Sequence, residues 1–151
     1  MLSFRKANVY WWRKPLVLAG NRVLTAELAV LASELGEGEQ GVWLNSRGRS
    51  SGAIDLVPRS TRLGASFETC RVPLPPFVTS AIKRLYAQAQ VTKGCPDLVI
   101  WRAVPQSIRL VEVKCPHWDA TSAEQERFLN AAAALDIPAK VVEWEFSDDA
   151  S

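Results

Sequence analysis

The sequence predicts a single α/β domain spanning residues 1–151, and three observations support this prediction. The chain has the length of one ordinary domain. Hydrophobic residues make up 48% of it and charged residues 23%, which is a globular composition rather than a disordered or fibrous one. Two amphipathic helical patterns precede a strand–strand–helix–strand pattern over residues 93–146, and such mixing of helices with strands is typical of α/β proteins.

Apolar runs are short, and none approaches the roughly 20 residues that a membrane-spanning helix needs. The run over residues 16–19 is also shorter than the apolar core of a secretory signal peptide. The three cysteines, Cys70, Cys95 and Cys115, contain no Cys-x-x-Cys pair, which argues against a disulfide framework and a structural zinc site. We therefore expect a cytoplasmic protein that does not cross a membrane.

Charge is strongly segregated along the chain, although the net charge is only +2. Residues 1–22 carry five basic and no acidic side chains, and the basic segment over residues 1–20 is rich in aromatic residues. Residues 41–93 hold eight basic and two acidic side chains. Basic segments with interspersed aromatic residues suit a phosphate backbone, although a solvated surface is the more common cause of such clusters.

The first helical pattern covers residues 21–35. Its leucines recur at the spacing of one helix face, and Gly36 and Gly38 end it. Glu27 and Glu34 lie at the edge of this apolar face, on nearly the same side of the helix. A carboxylate at such an edge loses hydration unless a positive group meets it.

Two short strands and a second helix are predicted next. Residues 41–44 and 53–57 are the strand candidates, and the serine-, arginine- and glycine-rich residues 45–52 between them form a loop. Three prolines at positions 73, 75 and 76 interrupt the chain. The second amphipathic helix follows over residues 77–89.

The strongest patterns begin at residue 93. Residues 96–101 and 108–114 are predicted to form an antiparallel hairpin. Because side chains alternate along a strand, Glu112 and Lys114 project from one face of it and the neighbouring valines from the other.

A helix and a last strand follow this hairpin. Ser122 and Gln125 have the spacing of a capping box, which predicts a helix start. The helix ends before Pro138, and residues 139–146 form the last strand.

Charged side chains meet across the predicted hairpin. Asp97 falls opposite residue 112 or 113, so that its carboxylate lies within reach of Glu112, with Lys114 one step further along. Two carboxylates in one polar notch are oxygen ligands that suit Mg²⁺ or Mn²⁺. A lysine beside such an ion can stabilise charge on a phosphate or help to deprotonate a water. On its own the pattern is weak, because surface Glu–Lys pairs and turn aspartates are both common.

The segments around these residues resemble a known family. A Gly-x-Pro-Asp motif ends at Asp97, a Glu-x-Lys motif comprises Glu112 and Lys114, and a Ser-x-x-Gln motif ends at Gln125. In this order and spacing, over residues 93–146, they resemble the VRR-NUC (virus-type replication-repair nuclease) branch of the PD-(D/E)XK superfamily. The resemblance implies a restriction-endonuclease-like core, with a central mixed β-sheet flanked by helices.

The resemblance implies a role for each motif residue. Asp97 and Glu112 would bind Mg²⁺ or Mn²⁺, with the main-chain carbonyl of Val113 as a further candidate ligand. Lys114 would be the catalytic lysine. Gln125 would support the site, although a plain capping role for it stays open.

Families of this superfamily also draw a glutamate from the first core helix. We assign this metal-binding role to Glu27, which follows the Thr-Ala start of that helix. Glu34, one heptad later on almost the same face, is the alternative. The sequence departs from the family at Cys115, which stands where relatives commonly have a glycine after the lysine.

The function that the resemblance implies is a metal-dependent DNA endonuclease. It would be selective for branched, flap or Holliday-junction DNA, in repair, recombination or phage replication, and we expect a homodimer because stand-alone relatives are often dimeric. An antibacterial DNase toxin domain and a non-cleaving DNA-binding module of the same fold are the alternatives. We expect the basic N-terminal segment and a second set of basic residues to contact the DNA backbone; this set is Arg47, Arg49, Arg59 and Arg62.

Overall fold

The structure is a computed structural model that describes residues 1–11, 14–20, 22–44, 56–60, 67–71, 74–91, 95–117 and 121–147. In chain order its elements are β1 (Leu2–Trp11), β2 (Lys14–Ala19), β3 (Arg22–Leu24), α1 (Ala26–Glu34), β4 (Gln40–Trp43), β5 (Leu56–Ser60), β6 (Phe67–Arg71), α2 (Pro76–Ala89), β7 (Leu98–Arg102), β8 (Ser107–Lys114), α3 (Ala123–Ala134) and β9 (Ala139–Phe146). Within these ranges, no helix is both long and apolar enough to cross a membrane.

Seven of the strands form one mixed sheet in the order β3-β2-β1-β9-β8-β7-β4, and β5 pairs with β6 in a separate ribbon. Strand β9 lies parallel to both β1 and β8, whereas the other neighbours in the sheet are antiparallel. The sheet contacts α1 through β4 at one edge and through β2 and β3 at the other, so it curls around this helix. The predicted α/β class, with a central mixed sheet flanked by helices, is confirmed.

Both faces of the sheet are covered. Val111 and Val113 pack in the core that contains α1, whereas Leu110 of the same strand packs in a second core with α2 and α3. This division follows from the alternation of side chains along β8. Glu112 and Lys114 share the parity of Leu110, so their side chains project to the face that α2 and α3 cover.

The helix predicted over residues 21–35 begins later than predicted. Helix α1 starts at Ala26, because the Thr25 side chain caps it by accepting a hydrogen bond from the Leu28 N–H at 3.3 Å. The prediction is wrong for residues 22–24, which form β3 and pair with β2. Leu24 matches the helical spacing by coincidence, since its partner is Val17 in the neighbouring strand.

Strands β1, β2 and β6 were not predictable from alternation alone. The pairing of β1 with β2 is interrupted by a register shift between Lys6 and Tyr10, and Leu16 and Val17 are both buried although they are adjacent. Such features remove the period of two from the sequence. Part of the predicted strand over residues 53–57 lies outside the described residues, and β5 begins at Leu56.

The elements of the motif region are confirmed to within two residues. The antiparallel β7–β8 hairpin joins strands that pair from Leu98↔Val111 to Arg102↔Ser107. Ser122 caps α3 through the predicted capping box with Gln125, and β9 has its predicted bounds.

Candidate active site

Asp97 and Glu112 lie together at one end of the β7–β8 hairpin. The pairing of Leu98 with Val111 brings Asp97 opposite Glu112, as predicted. Asp97 Oδ2 accepts a hydrogen bond from the Val113 N–H at 2.8 Å, which fixes the Asp97 carboxyl group against β8. The strand pairing therefore holds two carboxyl groups in one place.

Glu112 is buried, with only 3% of its surface exposed. Burial, together with the charge of the neighbouring Asp97 carboxylate, raises the pKa of Glu112 to about 9. Two adjacent carboxylates repel each other when both are ionised, and a divalent cation between them removes this repulsion. Carboxylate oxygens are also the ligands that Mg²⁺ and Mn²⁺ prefer, so the pair is chemically suited to such an ion.

Lys114 and Glu112 are linked through Gln125 of α3. The Lys114 ammonium donates a hydrogen bond to Gln125 Oε1 at 2.7 Å, and Gln125 Nε2 donates to Glu112 Oε1 at 2.9 Å. Lys114 Nζ itself lies 3.8 Å from Glu112 Oε1. The side-chain amide of Gln125 is thus hydrogen-bonded to both the Lys114 ammonium group and the Glu112 carboxyl group.

Gln125 also caps the helix that carries it. Its N–H donates to Ser122 Oγ at 3.2 Å, and its Oε1 accepts from the Ser122 N–H at 2.9 Å. Oε1 accepts from both the Ser122 N–H and Lys114, so the capping contact of Gln125 does not prevent its contact with Lys114. The capping box fixes the side chain of Gln125 at the start of α3, where it reaches Lys114 of β8.

The two candidate glutamates of α1 have different surroundings. Glu27 lies in the first turn, and its Oε2 atom is buried. Glu34 lies in the last turn, where Oε2 is 2.9 Å from Arg109 Nη1 and Oε1 is 2.8 Å from Lys140 Nζ. Since Glu34 already meets two cations, Glu27 is the better candidate for a metal ligand.

Among the described residues, no group of three or more His, Cys, Asp and Glu side chains could hold a metal ion. Metal binding by Glu27, Asp97, Glu112 and the Val113 carbonyl thus stays a prediction.

The predicted DNA-binding arginines lie mostly outside the part of the chain that the structure describes. Arg47, Arg49 and Arg62 are in that group, and Arg59 lies in β5, where its backbone pairs with that of Glu68. The basic N-terminal segment supplies β1, with Arg5 and Lys6 exposed.

Strand β1 continues past the end of β9. It pairs with β9 up to Phe4↔Phe146, at the last residue of β9, and then runs on to Trp11. Strand β8 runs parallel to both and ends at Lys114, which pairs with Glu143. The β1–β2 hairpin therefore projects from the end of the sheet at which Lys114 lies.

One cluster of charged residues was missed from the sequence. Arg109 of β8 contacts both Glu34 and Glu39, which lie far from it in the chain. The available signal was a charged residue between two apolar ones, Ile108 and Leu110, in a strand with two buried faces. Its partners depend on tertiary packing.

Among known proteins, no curated sequence matches the chain. Among solved structures, the chain is similar to one titled "Crystal structure of paFAN1 bound to 2nt 5'flap DNA with gap", with 22% identity and a TM-score of 0.38. That match covers 47% of this chain, and this chain spans 14% of the length of the other.

The profile of the VRR-NUC domain family matches residues 67–144. This match covers just over half of the chain and contains all three motifs on which the resemblance depends. It also includes α2, which lies upstream of those motifs. The chain therefore belongs to the VRR-NUC domain family.

Proposed function

We propose that this chain is a metal-dependent DNA nuclease of the PD-(D/E)XK type, which hydrolyses phosphodiester bonds with Mg²⁺ or Mn²⁺. One observation carries the proposal. In a member of the VRR-NUC family, Asp97, Glu112 and Lys114 lie together on one hairpin, and Gln125 links the last two. Family membership alone does not require that linkage, and a purely structural role would not require two adjacent carboxyl groups.

Asp97 and Glu112 would hold the ion, with Glu27 and the Val113 carbonyl as further ligands. When bound, the ion would polarise the scissile phosphate and lower the pKa of a water. Lys114 would bring its ammonium group to the phosphate and stabilise the negative charge that develops there. Gln125 would hold that ammonium group and the Glu112 carboxyl group in fixed positions, since it is hydrogen-bonded to both.

The β1–β2 hairpin supports a DNA path along this end of the sheet. It carries exposed basic residues past the ends of β8 and β9, so it would contact the backbone beside the cleavage site. Arg47, Arg49, Arg59 and Arg62 would extend the same contact. Selectivity for branched, flap or junction DNA and a homodimeric assembly are further parts of the proposal, and both rest on the family resemblance.

The proposal is tested by a cleavage panel of single-stranded, duplex, flap and four-way DNA, each with Mg²⁺, Mn²⁺ or EDTA. We expect metal-dependent cleavage that Asp97→Ala, Glu112→Ala or Lys114→Ala abolishes. Glu126→Ala is the matched control, because Glu126 is exposed on α3 and lies outside the site. DNA binding without metal-dependent cleavage would instead identify a binding module. Normal cleavage by Glu112→Ala would show that the site is wrongly assigned.

A further inference from the structure

Helices cover only part of the sheet face that bears Glu112 and Lys114. In the described part of the chain, α2 and α3 pack on this face through residues of β4, β7 and β8. On the neighbouring strand β9, Val141 pairs with Glu112 and is 43% exposed. Glu143 pairs with Lys114 and is exposed as well. The candidate site therefore opens toward β9.

We call this exposed surface the β9 face, and it comprises Val141, Glu143 and Glu145 of β9 with Ser3 and Arg5 of β1. These residues share one side of the sheet, because side chains alternate along a strand and the intervening residues pack in or against the core that contains α1. Ser3 pairs with Glu145, so the two strands continue the same surface. The β9 face thus begins beside Lys114 and extends across two strands.

His117 adds a hydrogen-bond donor to this surface, three residues beyond Lys114. Its Nε2 atom lies 3.7 Å from Glu145 Oε2, which places the imidazole next to β9, and 67% of its side chain is exposed. Glu145 follows Glu143, the partner of Lys114, by two residues, so it lies about 7 Å further along the strand. This step leaves room for a second phosphate, since the phosphates of one DNA strand follow one another every 3.4 Å or so of helix axis, about half that distance.

Arg5 supplies a positive charge on the same face, beyond the end of β9. It follows the last residue of β1 that pairs with β9, and it is exposed. The next residue, Lys6, is on the opposite face, because its partner Val17 is buried in the core with α1. The Lys6 ammonium lies 5.6 Å from the centre of the Phe146 ring on that side. Of these two exposed basic residues, Arg5 is therefore the one that shares a face with Lys114.

We propose that the β9 face binds the DNA backbone, with His117 and Arg5 as donors to phosphates next to the one at Lys114. This inference rests on the proposed function, and it assigns the side of the sheet over which the DNA strand leaves the site. An imidazole donates a hydrogen bond whether it is neutral or charged, and a guanidinium group can donate two to one phosphate. Glu143 and Glu145 repel phosphates, so they confine the backbone to positions where a donor faces it.

The first test is the affinity for a fluorescently labelled DNA duplex with a flap, measured by anisotropy in EDTA so that no metal-dependent cleavage occurs. We expect Arg5→Ala and His117→Ala each to weaken binding about threefold to tenfold, as for the loss of one hydrogen bond. Lys6→Ala should weaken binding less than Arg5→Ala. Lys140→Ala is the control for a lost positive charge and should leave affinity unchanged, since Lys140 contacts Glu34 on the opposite face.

Crosslinking locates the DNA by a second, independent measurement. The photoreactive residue p-benzoylphenylalanine replaces either Val141 on the β9 face or its neighbour Lys140 on the opposite face; both side chains are about half exposed. We expect light to crosslink DNA to position 141 and not to position 140.

The outcomes separate this inference from the proposed function. Equal crosslinking from positions 140 and 141, or a larger loss of affinity for Lys6→Ala than for Arg5→Ala, would overturn the inference. If the parent protein cuts DNA but Arg5→Ala and His117→Ala bind it normally, the inference fails and the proposed function stands. If the parent neither binds nor cuts DNA, the proposed function itself fails.

Discussion

Lys114 donates a 2.7 Å hydrogen bond to the side chain of Gln125, across the gap between β8 and the first turn of α3. The same glutamine donates to Glu112 and completes the capping box of its helix. A local feature of a helix start thereby becomes part of the polar network around two ionisable side chains. Gln125 thus connects the Glu-x-Lys motif to the Ser-x-x-Gln motif through hydrogen bonds.

Gln125→Ala should therefore affect both stability and cleavage. Loss of a cap and of hydrogen bonds to buried groups should lower the free energy of unfolding by about 1–3 kcal/mol. Cleavage should fall about tenfold or more, because Lys114 and Glu112 lose the side chain to which both are hydrogen-bonded. Urea unfolding and single-turnover cleavage rates measure the two effects.

Ser122→Ala is the matched control for this variant. It removes the side-chain acceptor of the cap but leaves Gln125 in contact with Lys114 and Glu112. It should cost about 1 kcal/mol of stability and leave the cleavage rate close to that of the parent. An equal loss of cleavage in both variants would mean that Gln125 acts through the helix start alone.

Acid should weaken the fold by protonating Glu39, which forms an ion pair with Arg109. The folded-state pKa of Glu39 is lowered to about 2, so the unfolded chain binds more protons at pH values between about 2 and 4.5. The contribution of the pair with Arg109 is thus complete above pH 4.5 and is lost as the pH falls toward 2. We expect a loss of about 1 kcal/mol, because the pair is partly exposed.

The measurement is urea unfolding at pH 7 and pH 3 for the parent and for Glu39→Gln. The substituted protein should lose less stability between these two pH values, since it has no carboxylate to protonate at this position. An identical pH dependence would show that the pair of Glu39 with Arg109 makes no pH-dependent contribution to stability.

The basic residues of the segment that follows β4 should contribute to DNA affinity through the phosphate backbone. Replacing Arg47 and Arg49 with Ala should weaken binding for all DNA sequences alike. The slope of log affinity against log salt should become less steep by about 0.9 for each phosphate that the protein no longer neutralises. Arg84→Ala, on the exposed side of α2, is the control. An unchanged salt slope would remove this segment from the DNA path.

The motif region was predictable because its signals are local. The hairpin, the alternation that brings Glu112 and Lys114 to one face, and the capping box at Ser122 each depend on residues close in sequence. The pairing of Asp97 with Glu112 follows from the hairpin register, so it too was within reach of the sequence. Short-range patterns are therefore sufficient to bring these side chains together.

Tertiary structure decided the contacts between distant segments. Strand β1 pairs with β9, at the other end of the chain, and Arg109 meets Glu34 across 75 residues. No local period specifies such partners, because they depend on which surfaces remain to be buried after the hairpin and helices have formed. The sequence alone therefore determined the catalytic candidates and their strands, whereas the packing of α1 against the sheet decided that Glu34 meets Arg109 and Lys140.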